Sequence, residues 1–124
     1  MITVIVDRDK ERLIRGIYMS GHSGYDEPGR DIICAGASTL CLTAANALED
    51  ICGYSTDDVF RCVGEGTEDL NVRILVPETG TAETKDRAQV IMRTCELGLM
   101  SIARDYNDKD NRYIEIIKSK TPEV

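Results

Sequence analysis

The chain is organised around the sequence GHSGYDEPGRDIICAGAS, which occupies residues 21–38. It contains the only histidine, His22, then a glycine-containing spacer, and then Cys34 at the start of an Ala-rich segment. Cysteine attacks as its thiolate. The free N–H groups and positive end of a helix N-terminus stabilise that form, and a nearby imidazole can accept the thiol proton. This combination predicts the reactive site of a cysteine hydrolase.

Two helices are predicted from the spacing of apolar residues. The first runs from residue 32 to about residue 52, with Asp31 as N-cap, Cys34 in the first turn and Gly53 as the stop. Its predicted inward residues are Ala37, Leu40, Cys41, Ala44, Ala45, Leu48, Ile51 and Cys52. The second runs from about residue 82 to residue 105, and its predicted stripe is Ile91, Cys95, Leu99, Ile102 and Tyr106.

Five segments rich in β-branched residues predict strands, and two polar turns between them predict two hairpins. The strands are expected at residues 2–7, 12–21, 58–63, 69–76 and 112–118. Gly16 marks a bulge or a close backbone approach in the second strand. The predicted fold is therefore α+β in the order ββαββαβ, one domain over residues 1–124 with a mixed or antiparallel sheet and two helices.

Composition and charge exclude several function classes. With 15 basic and 22 acidic side chains the net charge is −7, which opposes direct binding to nucleic acid and favours a basic partner. The charged first ten residues argue against a signal peptide, and no apolar run is expected to span a membrane, so a cytosolic location is predicted. Five cysteines are an odd number, widely spaced and without a two-residue gap between any two, which suggests reduced thiols rather than disulfides or a zinc site. No metal or cofactor is expected.

The segment of residues 21–38 resembles the signature of the ribosomal-processing cysteine protease family. The shared features are a Gly-His opening, a glycine-containing spacer, the motif Gly-x-Asp-Ile-Ile-Cys-Ala and a serine four residues after the cysteine. Chain length and element order agree as well. The resemblance implies a dimeric cytosolic protease that removes the N-terminal extension of large-subunit ribosomal protein number twenty-seven, after an apolar, Phe-containing stretch. It also implies that Cys34 and His22 are catalytic, with Asp31 in support.

Several residues of the segment have two possible roles. Asp31 either caps the helix or orients His22, and capping is the commoner use of such a carboxylate. Ser38 lies one turn after Cys34, where it bonds the thiolate or a peptide, or is a plain helix serine. Gly21 is predicted, with Ser38, to contribute to substrate binding. The N–H groups of Cys34 and Ala35 are candidates for an oxyanion hole.

Two other function classes stay open at this stage. One is a non-catalytic binding module of the ribosome-assembly or peptide-binding type, and the other is a different thiol enzyme or a redox sensor. A sensor needs a resolving cysteine, whereas Cys41 is expected to face the core together with Cys52, Cys62 and Cys95. The loop of residues 21–30 lacks apolar periodicity and is predicted to be a lid that becomes ordered on substrate.

Overall fold

The computed structural model describes residues 1–27, 30–65 and 70–120. The elements in chain order are β1 (Ile2–Arg8), β2 (Ile14–Ser20), α1 (Ile32–Asp50), α2 (Thr56–Val59), β3 (Phe60–Val63), β4 (Asn71–Leu75), α3 (Ala82–Tyr106) and β5 (Ile114–Lys120). The five strands form one sheet in the order β3-β4-β2-β1-β5. The core forms where one face of this sheet meets α1 and α3. The predicted α+β class and mixed sheet are confirmed.

Both predicted hairpins are present in the sheet. β1 pairs antiparallel with β2, and β3 pairs antiparallel with β4. The register moves from Asp7 opposite Gly16 to Arg8 opposite Ile14, so Arg15 is the extra residue of a β-bulge. The bulge therefore lies next to Gly16, as predicted. β5 pairs parallel with β1, which makes the sheet mixed. Part of the predicted second turn and the first residue of its following strand, residues 66–69, lie outside the described residues.

A third helix was not predicted. Residues assigned to the start of a strand at 58–63 instead form α2 (Thr56–Val59), and β3 begins only at Phe60. Asp57 and Asp58 lie in the first turn of α2, where acidic side chains interact favourably with the positive end of the helix. A four-residue helix is too short to show a 3.6-residue period. The element order is therefore the predicted one with one short helix added before β3.

α1 is the central helix of the fold. Ala37, Cys41 and Leu48 are fully buried, as predicted, whereas Ile51 follows the last helical residue and is 54% exposed, so its predicted inward position is wrong. Leu40 and Cys52 are half-buried. Gly53 follows the helix with a positive φ of 79°. By length and composition α1 is apolar enough to cross a membrane, so the expectation that no segment reaches that length is wrong for this helix. Core helices of soluble proteins pass the same test, and α1 packs against α3 and the sheet.

α3 buries a face rotated from the predicted stripe. Cys95 and Leu99 are buried as predicted, whereas Tyr106 is 40% exposed. Ala88 and Met92 are fully buried and were not in the predicted stripe. The difference follows from the neighbours of the helix, because α3 contacts α1 as well as strands β2 and β5.

Glu96 of α3 is buried in the core without any exposed surface. Both of its oxygens accept from the Arg8 guanidinium of β1, at 2.6 and 2.7 Å, and Arg93 donates to Oε1. Burial raises the pKa of Glu96, but the hydrogen bonds from Arg8 and Arg93 lower it by more, so the net pKa lies below its ordinary value. This ion cluster joins the middle of α3 to the end of β1.

Candidate active site

Cys34 is the third residue of α1 and is half-buried at the start of the helix. Asp31 immediately before the helix is its N-cap, with an extended backbone at φ −78° and ψ 96°. The carboxylate Oδ1 accepts from the N–H groups of Ile33 at 3.1 Å and Cys34 at 3.0 Å. These bonds satisfy donors that have no partner within the helix. The predicted cap is therefore present, and it holds the residue that carries the thiol.

The second oxygen of Asp31, Oδ2, accepts from the hydroxyl of Ser23. Burial raises the pKa of Asp31, while the hydrogen bonds from Ser23, Cys34 and Ile33 lower it by more. The net pKa is below the ordinary value, so this carboxylate is ionised at neutral pH. Both oxygens are thus bound by groups of the cap and the loop.

Ser23 contacts the thiol directly, and sequence reasoning missed it. Its N–H donates to Cys34 Sγ at 3.4 Å, and Cys34 Sγ donates to Ser23 Oγ at 3.6 Å. Ser23 is only 5% exposed, although the residues on both sides of it are exposed. No sequence pattern marks it, because a serine within a glycine-containing loop is typical of an ordinary turn.

A cavity of about 160 Å³ brings together four of the predicted site residues. Gly21, His22, Cys34 and Ser38 all line it. The remaining lining residues come from the strands and from the connection that precedes β4, and they are Ile2, Met19, Ser20, Leu70 and Val72. His22 is exposed. The sole imidazole and the thiol at the helix start therefore border one cavity.

Gly21 is a position that only glycine can occupy in this conformation. Its φ is +85°, and a Cβ atom built on it would lie 2.4 Å from the carbonyl oxygen of Met1. Both the left-handed backbone and the close approach exclude a side chain. The close approach brings the start of the His22 loop against the first residue of the chain, beside the cavity.

The two N–H groups predicted for an oxyanion hole are bonded within the first turn of α1. Cys34 N–H donates to Asp31 Oδ1, and Ala35 N–H donates to the Asp31 carbonyl at 3.0 Å. A substrate oxygen can accept from either N–H group only if that group shares or gives up its hydrogen bond to Asp31.

Tyr25 holds the loop against the body of the protein. Its ring meets Tyr106 of α3 edge-on at a centroid distance of 5.9 Å and Tyr113, just before β5, at 5.2 Å. Edge-to-face pairs of this kind are favourable. The sequence led us to expect a loop without apolar anchors, and a single aromatic residue escapes a periodicity argument. The loop thus has two anchors in this conformation, Ser23 and Tyr25.

The other four cysteines differ from Cys34 and from one another. All five are free thiols. Cys41 and Cys95 are buried as predicted, but Cys62 is exposed and Cys52 half-buried, which corrects the expectation that all four face the core. A hydrogen bond to Cys95 and burial raise the pKa of the Cys41 thiol, which makes it a poor resolving cysteine. Within the described ranges, no three His, Cys, Asp or Glu side chains are grouped as a metal site requires.

A thiol in the first turn of a central helix, with an imidazole on the same cavity, is the arrangement of a thiol hydrolase. Residues 1–111 match the family model described as cysteine protease Prp. The chain therefore belongs to the cysteine protease Prp family, and it is a cysteine protease.

Relatives named as ribosomal processing cysteine proteases are similar over most of the chain. The chain is 27% identical over 108 residues to the ribosomal processing cysteine protease Prp of Bacillus subtilis, covering 87% of this chain and 92% of that protein. It is 29% identical over 108 residues to the enzyme of the same name from Staphylococcus aureus strain Mu50, covering 87% and 93%.

Solved structures agree with the fold. The crystal structure of an essential ribosomal processing protease Prp from S. aureus, in complex with a covalently linked product peptide, superposes with a TM-score of 0.72. It is 28% identical and covers 96% of this chain and 100% of that chain. A Streptococcus mutans protein gives the same TM-score at 22% identity, covering 98% and 96%, and supports the fold alone.

Proposed function

We propose that this protease is an endopeptidase that removes the N-terminal extension of large-subunit ribosomal protein number twenty-seven, with Cys34 as nucleophile and His22 as base. The observation that carries the proposal is the cavity of about 160 Å³ that both residues line. The S. aureus relative was solved with a covalently linked product peptide, which supports a covalent step in the proposed reaction. The names of the relatives support a ribosomal substrate.

The proposed reaction proceeds through an acyl-enzyme. The His22 imidazole takes the Cys34 proton, and the thiolate attacks the scissile carbonyl to form a tetrahedral oxyanion. That intermediate collapses to a thioester when the imidazolium returns its proton to the leaving amine. His22 then deprotonates a water molecule, which attacks the thioester. Release of the peptide acid returns the proton to the sulfur.

The walls of the cavity support an apolar substrate segment. Ile2, Met19 and Val72 line it beside Cys34, and Leu70 lines it from the connection before β4. Apolar side chains gain free energy when they leave water for such a surface. We propose that the apolar, Phe-containing stretch before the cut lies against these residues, and that Gly21 and Ser38 contact the peptide at the same cavity.

The hydrogen bonds of the free enzyme support an active site that rearranges when the substrate binds. Cys34 Sγ donates to Ser23 Oγ in this structure, so proton transfer to His22 requires that the thiol turn from Ser23. The oxyanion donors Cys34 N–H and Ala35 N–H stay a prediction, since each must exchange its bond to Asp31. We propose that a bound peptide drives both changes, together with the ordering of the loop that the sequence predicts.

We also propose that the enzyme acts in the cytosol as a homodimer, without direct contact to nucleic acid. The net charge of −7 supports the last point and suits a basic ribosomal protein, because complementary charge raises the rate of encounter. The oligomeric state is measured by sedimentation of the purified protein, and a monomer at micromolar concentration contradicts that part.

Mass spectrometry of the protein mixed with the unprocessed ribosomal protein tests the proposed function. The parent should make one cut that releases the extension, whereas the Cys34→Ala variant should bind the same precursor and leave it uncut. A Cys52→Ala variant, which alters another half-buried thiol away from the cavity, is the matched control and should cut as the parent does. Cleavage by Cys34→Ala, or no cleavage by the parent, overturns the proposal. A binding module without catalysis predicts the latter.

A further inference from the structure

The side chain of Ser23 is buried beside the start of α1. Serine is usually exposed, and a polar side chain is buried only where its hydrogen bonds are satisfied. Ser23 is 5% exposed between His22 and Gly24, which are both exposed. The loop therefore turns this one side chain inward, toward Cys34 and Asp31.

The hydroxyl of Ser23 uses all of its hydrogen-bonding capacity. A serine hydroxyl has one donor and two acceptor lone pairs. Its proton goes to Asp31 Oδ2, because an ionised carboxylate only accepts. Its oxygen accepts from Tyr25 N–H at 3.1 Å and from Cys34 Sγ at 3.6 Å. The result is a directed chain from the thiol to the hydroxyl and on to the carboxylate.

These bonds join the two halves of the site. Ser23 follows His22 directly, whereas Asp31 and Cys34 belong to the start of α1. Through its hydrogen bonds to Asp31 and Cys34, the hydroxyl links the backbone next to His22 to the helix turn that carries the thiol. The main-chain N–H of Ser23 also donates to Cys34 Sγ, at 3.4 Å, and such a bond strengthens when the sulfur becomes charged.

We infer that Ser23 is a positioning residue of this protease: its hydroxyl, bonded to Asp31 and Cys34, holds the His22 segment at the nucleophile and holds the resting thiol in place by accepting its hydrogen bond. The inference rests on the proposed function of Cys34 and His22. Its consequence is that loss of the hydroxyl has opposite effects on two rates. Turnover slows because the imidazole is less well placed, while the released thiol reacts faster with a small alkylating reagent.

The first test compares steady-state cleavage of the precursor by the parent, Ser23→Ala and Ser101→Ala. Ser101 is the matched control, since its hydroxyl donates to the Leu97 carbonyl of α3 and does not line the cavity. For Ser23→Ala, kcat should fall on the order of tenfold with KM within about twofold, as expected for misplacement of a catalytic group. An unchanged kcat, or a loss confined to KM, overturns the inference.

A double-mutant cycle tests whether Ser23 acts through Asp31. In an Asp31→Asn background, Ser23→Ala should cost much less in kcat than it does in the parent, because the bonded chain is already altered. If Ser23→Ala lowers kcat by the same factor in both backgrounds, Ser23 does not act through Asp31. All assays are run below the melting temperature of every variant.

Iodoacetamide alkylation of Cys34 separates this inference from the proposed function, because it needs no ribosomal substrate. The measurements use a Cys62→Ser background, since Cys62 is the exposed cysteine. Ser23→Ala should label Cys34 several-fold faster than the parent while buried Cys41 stays unlabelled, and Ser101→Ala should match the parent. Failure of the parent to cut the precursor alone defeats the proposed function. An unchanged or slower labelling rate in Ser23→Ala defeats the role of Ser23.

Discussion

Two acidic side chains, half-buried Asp31 at the start of α1 and fully buried Glu96 in the middle of α3, are held ionised by different donors. Glu96 is bound by two guanidinium groups, from Arg8 and Arg93. Asp31 is bound by neutral donors, namely two backbone N–H groups and the Ser23 hydroxyl. For both, burial raises the pKa and hydrogen bonds lower it by more. Glu96 therefore joins α3 to β1, whereas Asp31 holds the helix turn that carries Cys34.

The largest expected effect is the loss of kcat in the His22→Ala variant. His22 is exposed, so its loss should change the melting temperature little, whereas removal of a general base should lower kcat on the order of a hundredfold or more. Steady-state cleavage and thermal unfolding measure the two quantities. A variant that retains the parent's kcat excludes His22 as the base.

Glu96→Gln should show the reverse pattern, with lost stability and little change in kcat. The substitution leaves Arg8 without its charged partner in the core, and breaking such a pair costs about 3 kcal/mol of unfolding free energy. Glu83→Gln is the matched control, because its i,i+4 pair with Arg87 lies on the surface and should contribute almost nothing. Urea unfolding curves measure both variants.

The difference in unfolding free energy between the parent and Glu96→Gln should depend on pH, because the pKa of Glu96 is lowered. A carboxylate whose folded pKa lies below its unfolded value stabilises the protein above the unfolded pKa and loses this contribution as pH falls through the folded one. The gap between parent and Glu96→Gln should therefore be full at neutral pH and shrink below the ordinary value of 4.5. A gap that stays constant down to pH 3 contradicts the ion cluster as its source.

Asp31→Asn should change kcat less than His22→Ala does, and the unfolding free energy less than Glu96→Gln does. An asparagine caps a helix about as well as aspartate, so the unfolding free energy should change by about 1 kcal/mol or less. The amide no longer accepts the Ser23 proton at the Oδ2 position, and kcat should fall less than in His22→Ala. If the loss of activity instead equals that of His22→Ala at unchanged stability, the carboxylate charge serves His22 directly. A large loss of stability means that the cap depends on charge.

Much of the fold can be predicted from the sequence. The helical spacing of apolar residues predicts α1 and α3, and β-branched segments joined by polar turns predict both hairpins. Asp31 was recognised as the cap because its type and its place before an apolar run suffice. The burial of Glu96 was not predictable, because its partner Arg8 lies 88 positions away in the chain. Ser23 is near Cys34 in the chain but was not predicted, because a serine in a loop is typical of a turn and only the folded loop brings its hydroxyl to the thiol.

The smallest effect is expected in the loop, as a change in amide exchange on binding. The prediction from the sequence is that amides of residues 22–29 exchange fast in the free protein and slow with a non-cleavable peptide. The N–H groups of Ser23 and Tyr25 are already bonded, so they should change least. Amides around Glu96 are the internal control and should not change. Equal protection of the loop in both states contradicts the lid.

The most direct test of the central claim is the intact mass of the protease after acid quenching during cleavage of the ribosomal precursor. The account predicts a thioester on Cys34 whose added mass equals the released extension minus one water, located by peptide mapping, and no adduct or cleavage in Cys34→Ala. Cleavage that persists in Cys34→Ala, or an adduct that maps to another residue, would contradict Cys34 as the nucleophile.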